Sequence, residues 1–143
     1  MGLMSIFNVG VAHGAWGERV AVNVLKARGM EILDRNSRPC AKDRRLEIDI
    51  VAYDHKSDTL VFVEVKQHKT HSPYQRRLRS ISEKKISNMR RACWSWRHKN
   101  TWNGGYRFDV IEIYGTPESK CPEVDYIENV KIFAKRGRGV RWN

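Results

Sequence analysis

The chain has 143 residues, 41% apolar and 30% charged, which fits one domain around one core, shows no sign of a second domain and argues against wholesale disorder. Lysine and arginine number 27 against 16 acids, a formal net charge of +11. Such an excess attracts polyanions, nucleic acid first among them, with a solvated basic face lacking a partner as the alternative.

Three widely spaced cysteines, Cys40, Cys93 and Cys121, form no C-x-x-C pair. They suggest neither a disulfide framework nor a thiolate zinc site, and they imply a reducing compartment. The opening run "MGLMSIFNVGVAHGAWG" lacks a basic start and is too short to span a bilayer. A cytoplasmic protein without membrane association is the expectation.

In chain order, residues 13–28 place Trp16, Val20, Ala21, Val24 and Leu25 at helical spacing, and Gly29 follows as a C-cap. "MEILDRN" predicts a strand, and "SRPCAKDRR" has the proline and charge of a loop. Two apolar runs then flank the turn "DHKSD", too close together for a crossover helix, so they form an antiparallel hairpin. Residues 67–80 are polar and basic and read as a loop.

Ser80 and Glu83 make a capping-box signature ahead of Ile86, Met89, Cys93 and Trp96, which predicts a second helix from about Ser82 to His98. "YRFDVIEIYG" is strand-like on both faces, "DYIEN" suggests a last strand, and residues 134–143 form a basic, glycine-containing arm. The order of elements gives an α/β fold, a mixed sheet flanked by helices.

The hairpin carries charges where a sheet wants a core. Alternation puts Glu47 and Asp49 on one side of the first strand, and Glu64 and Lys66 on one side of the second. A symmetric hairpin brings Asp49 roughly opposite Val63 and Glu64. An internal Glu/Lys ion pair is one outcome. The other is a hard-oxygen site, because two carboxylates beside a lysine suit Mg²⁺ and a phosphodiester substrate. Glu18 stacks with Ala21, Val22 and Leu25 on the inward face of the first helix, although an acid near a helix start also gains from the macrodipole. Gly14 and Gly17 in the same turn would permit close approach of that helix to a strand or a phosphate.

Asp49, Glu64, Val65 and Lys66 form a D-x14-E-V-K pattern that resembles the PD-(D/E)xK signature of restriction-endonuclease-like nucleases. More widely, "GAWGERVAVNVLKARGMEILDRN", "EIDIVAYD", "LVFVEVK", "EKKISNMRRA" and "YRFDVI" resemble the YraN family of small bacterial proteins, from about Gly14 to Phe133. That family is similar to archaeal Holliday-junction resolvases.

The resemblance implies a restriction-endonuclease-like fold and a metal-dependent, structure-selective DNA endonuclease. It implies Glu18, Asp49, Glu64 and Lys66 as catalytic residues, and Mg²⁺, with Mn²⁺ as an alternative, at Asp49, Glu64 and Val65. Branched DNA as substrate and a homodimer follow by the same analogy. The alternatives are a catalytically silent nucleic-acid-binding module of the same fold and a basic scaffold protein. Two positions depart from the family pattern: Leu46 replaces a glycine and His68 an arginine.

For nucleic-acid contacts the candidates are Lys69, Arg76, Arg77 and Arg79 in the loop after the motif, and Lys85 on the second helix. The loop is equally consistent with a solvated basic segment, and Lys85 with a solvent-facing charge. Trp96 fits the buried stripe, whereas Trp94 is open to core, dimer or stacking roles.

Overall fold

A computed structural model describes the backbone of residues 9–69 and 82–133. The predicted Ser80, Arg76, Arg77, Arg79 and the arm at 134–143 lie outside the described residues, and Met1–Asn8 do too. The elements are α1 (Val9–Ala27), β1 (Met30–Ser37), β2 (Ile48–Asp54), β3 (Thr59–His68), α2 (Glu83–Lys99), β4 (Gly105–Tyr114) and β5 (Glu123–Ile127).

The sheet has five strands in the order β1-β2-β3-β4-β5. All neighbours are antiparallel except β3 and β4, which run parallel because α2 carries the chain back across the sheet. The result is a mixed α/β sheet consistent with a restriction-endonuclease-like arrangement.

Period-two alternation sorts the side chains of β3 into two cores. Leu60 and Phe62 pack with Met89, Ala92, Cys93 and Trp96 of α2 on one face. Val61 and Val63 pack with Ala21, Val22 and Leu25 of α1 on the other. A strand clad on both faces reads as a continuous apolar run, and "TLVFV" does so. Leu46 is buried within the α2-side core, so its side chain has a packing role.

Several boundaries differ from the sequence expectation for identifiable reasons. Helix α1 begins four residues earlier than predicted and ends where Gly29 adopts φ +84°, the left-handed C-cap that glycine favours. The N-cap of α2 is Ser82, whose Oγ accepts from the Lys85 N–H at 3.2 Å. Glu83 is therefore the first helical residue and acts on the macrodipole rather than as the third member of a capping box. Strand β3 continues through Gln67 and His68 because β4 supplies partners as far as His68↔Tyr114. Strand β5 lies two residues earlier than "DYIEN".

Between β2, β4 and β5 an ionic network closes one part of the fold. Arg107 contacts Asp109 and Asp54 at 3.2 Å and Glu128 at 3.4 Å. Asp109, wholly buried, also accepts from the Tyr126 hydroxyl at 2.5 Å and the Asn129 N–H at 2.8 Å. Removing one partner strands a buried charge, so Asp109→Ala should destabilise the protein by about 3–5 kcal/mol in urea unfolding, and Asp109→Asn by less.

Candidate active site

Ile50↔Val63 is the last rung of the β2–β3 ladder toward the motif. Beyond it, β2 keeps its pairing with β1 at Ser37↔Ile48, while Glu64 to His68 of β3 stay paired to β4. The sheet thus splits between β2 and β3. At the split, Asp49 Oδ2 accepts from the Val65 N–H at 2.8 Å, a side chain standing in for a backbone rung.

This geometry brings Asp49 and Glu64 together, close to the predicted register, so that each carboxyl group acts on the charge of the other. Burial pushes the Asp49 carboxyl up to about 8, reinforced by Glu64 and more weakly by Glu18, against the opposing Val65 N–H. Two half-buried carboxylates so close favour a shared proton or a nearby cation.

Asp49 lines two cavities. The larger, about 750 Å³, is bounded by Glu18, Asn36, Arg38, Arg44 and Val65, with Gly14 and Gln67 at its wall. The smaller, about 240 Å³, is bounded by Glu64, Lys85, Asn88 and Arg45. Glu47 lines both.

Glu18 projects from α1 into the larger cavity, where Asn36 Nδ2 donates to Oε2 at 2.9 Å and Arg35 lies at 3.5 Å. Among the described residues, no three His, Cys, Asp or Glu side chains converge closely enough to hold one metal ion. Glu18 therefore shares the cleft with Asp49 without joining a three-acid cluster. The hard oxygens of Asp49 and Glu64 still fit Mg²⁺, which uses one or two carboxylates and fills its shell with water. Of the two glycines, Gly17 is the close-approach position: a Cβ there would meet Gln67 Oε1 at 2.5 Å, whereas one at Gly14 would meet nothing within 4 Å.

Lys66 lies on the α2 face with Glu64, across the ladder from Glu112. Burial lowers its pKa, Lys85 lowers it further, and Glu64 and Glu112 oppose both. Lys85 Nζ is 3.2 Å from Glu64 Oε1, so this helix lysine pairs with a motif acid while its side chain stays exposed to solvent. Lys69 is exposed just past β3. His68 stacks on Tyr114 at 4.9 Å, with Nε2 3.6 Å from Glu112.

Glu112, which sequence reasoning missed, is only 3% exposed and accepts from the Tyr114 hydroxyl at 3.2 Å. Its signal was an acid inside the apolar run "VIEIY", the same anomaly that singled out Glu64. Arg38, Arg44 and Arg45 were also missed as a basic rim to the two cavities. They lay in a stretch that resembled an ordinary charged loop.

All three cysteines are free, and burial pushes the Cys93 thiol up, which removes it as a nucleophile. Among the described residues, no helix is long and apolar enough to cross a membrane.

Fold and site together define an α/β protein with a mixed sheet whose split edge presents a half-buried acid pair beside two lysines. The sequence pattern of the family described as "Uncharacterised protein family UPF0102" matches residues 17–113. A UPF0102 protein of Mycobacterium tuberculosis is 34% identical over 124 residues, 84% of this chain and 92% of that protein. One from Geobacter metallireducens is 38% identical over 129 residues, 88% and 95% of the two chains. The chain belongs to the UPF0102 family, in agreement with the YraN-like resemblance of its motifs.

The raised Asp49 pKa sets a pH dependence. In the metal-free protein the folded state holds a proton that the unfolded state releases near pH 4, so this group's contribution is complete below that pH and is lost as pH rises to about 8. Asp49→Asn keeps an acceptor for Val65 and removes the charge. In EDTA at pH 8 it should be more stable than wild type by about 2 kcal/mol, with the difference vanishing near pH 4 in denaturant titrations across pH.

Proposed function

We propose that the protein is a metal-dependent DNA endonuclease that hydrolyses phosphodiester bonds at the split between β2 and β3. The observation that carries this reading is the half-buried Asp49–Glu64 pair, two acids brought together where β2 and β3 part, opening into a cleft edged by arginines. A structural ion pair needs only one of those acids. An acid whose charge is disfavoured by its surroundings and that opens to a cleft is a candidate functional group.

Asp49 and Glu64, with Val65 between the motif residues, would hold Mg²⁺ or Mn²⁺. A bound ion there would activate water and screen the charge on the phosphodiester. Lys66, half-buried beside Glu64, supplies an ammonium to orient the attacking water or the scissile phosphate. Lys85, 3.2 Å from Glu64, would be available to an incoming phosphate if a cation neutralised that acid. Glu18 holds Asn36 and Arg35 at the cleft wall and adds negative charge on the side away from Lys66. Arg38 and Arg44 contact the phosphate backbone outside the reacting group.

A nucleic-acid-binding module without turnover is the second reading. It is favoured by the internal neutralisation of Glu18 by Arg35 and of Glu64 by Lys85.

A panel of branched, flapped and linear DNAs incubated with Mg²⁺, Mn²⁺ or EDTA separates the two. Wild type should cut at least one substrate with metal, Asp49→Asn and Glu64→Gln should lose at least a hundredfold, and both variants should keep their fold and DNA affinity. Steeply salt-dependent binding with no metal-stimulated cleavage would replace the nuclease with the binding module. As a separate reading of the metal site, Mg²⁺ should raise the melting temperature of wild type at pH 8 and leave that of Asp49→Asn unchanged.

A further inference from the structure

A third cavity lies on the α2 side, away from the acid pair, and its chemistry is different. It measures about 470 Å³, within the range that takes a small-molecule-sized group. Arg90, Arg91 and Arg97 line it together with Trp94, Tyr106 and Phe133, and no acid lines it among the described residues. The nearest acidic contact belongs to Arg91, which reaches Asp43 at 3.5 Å. Arg97 lies over the Tyr106 ring at 3.9 Å, and its buried Nε has no hydrogen-bond partner among the described residues.

Trp94 at the rim is 57% exposed, with its indole stacked on His98 at 4.9 Å and an interplanar angle of 7°. Its neighbour two residues on, Trp96, is the tryptophan that the core uses. An exposed indole beside guanidinium groups makes a poor core element. It makes a suitable platform for a flat aromatic ring attached to a phosphate, since bases stack on indole whatever their identity.

The two sites share a helix. Lys85 and Asn88 border the acidic cavity and Trp94 borders this one, so the separation along the α2 axis is about 9–14 Å. That spans on the order of three to four nucleotides of a stacked strand. The flanking loop is shared too, with Arg45 at the acidic cavity and Leu46 at this one.

We propose that this cavity binds an unpaired nucleotide of single-stranded DNA, with the base stacked at Trp94 and the phosphate held by Arg90, Arg91 and Arg97. The site would therefore select DNA that has a single-stranded segment a few nucleotides from the position delivered to the acid pair. The proposal deepens the nuclease reading but does not need turnover, and its test runs in EDTA, where cleavage plays no part.

Binding of a fluorescein-labelled oligothymidylate and of a duplex of equal length is measured by anisotropy with the full chain. Trp94→Ala should weaken single-strand binding about tenfold while changing duplex binding less than twofold, and Trp94→Phe should recover most of the loss, because stacking rather than charge is removed. Arg97→Gln should weaken the single strand in the same direction. Circular dichroism melts of each variant confirm the fold, and the exposure of Trp94 makes its loss tolerable.

Equal single-strand affinity for wild type and Trp94→Ala would overturn the proposal, as would an equal loss on both DNAs or the absence of single-strand binding by wild type at low salt. A change in oligomeric state on Trp94→Ala, without a change in DNA binding, would reassign the patch to self-association. If metal-stimulated cleavage fails while the Trp94-dependent preference persists, the nuclease reading falls and this site stands.

Discussion

Asp49 and Glu64 are carboxyl groups brought together at a half-buried point, and much of the site's organisation follows from how the fold accommodates them. Asp49 gives one oxygen to the Val65 N–H, the donor left where the β2–β3 ladder ends. Glu64 is held by Lys85 from the helix that links β3 to β4. The sheet does not merely tolerate the pair. Its split edge is shaped by it, since without the Asp49 side chain the Val65 N–H would be a buried donor lacking its partner.

Charge is sorted around this pair by the two faces of the sheet. On the α2 face, Glu64, Lys66, Lys85 and Glu112 alternate in sign, so the acids and amines neutralise one another locally. On the α1 side, Glu18 satisfies Asn36 and Arg35. The other large ionic network, around Arg107 and Asp109, is closed by Tyr126 and Asn129 and lines none of the cavities described. Both networks bury acids, but only one opens to a cleft. That difference in access, rather than pKa alone, separates a candidate site from a structural device.

The sequence made much of this legible because the strongest signals were local. Apolar alternation in the hairpin gave β2 and β3, and polar residues interrupting that alternation gave Asp49, Glu64 and Lys66. Gly29 marked the end of α1 through a conformation that glycine accepts readily. Three things were less legible. Glu112 lay in a strand whose partners are far off in the chain, so its proximity to Lys66 depended on a parallel register that sequence does not fix. The arginines of the loop before β2 acquired meaning only once the cavities were formed. The exposure of Trp94 against the burial of Trp96 required the orientation of α2, and two tryptophans two residues apart on a helix cannot face the same way.

The route by which the two acids meet has a kinetic side. The β2–β3 hairpin joins segments close in sequence, whereas β3 must wait for β4 to return from beyond α2, as with Thr59 and Gly105. Local pairings close at lower entropic cost and sooner. Asp49 and Glu64 are thus brought face to face while the sheet is still incomplete, and their repulsion acts on the ascent to the folding barrier as well as on the finished protein. Acid, which neutralises the pair, would then accelerate folding, so that one cluster of charges governs the speed of assembly as well as the stability of the finished sheet.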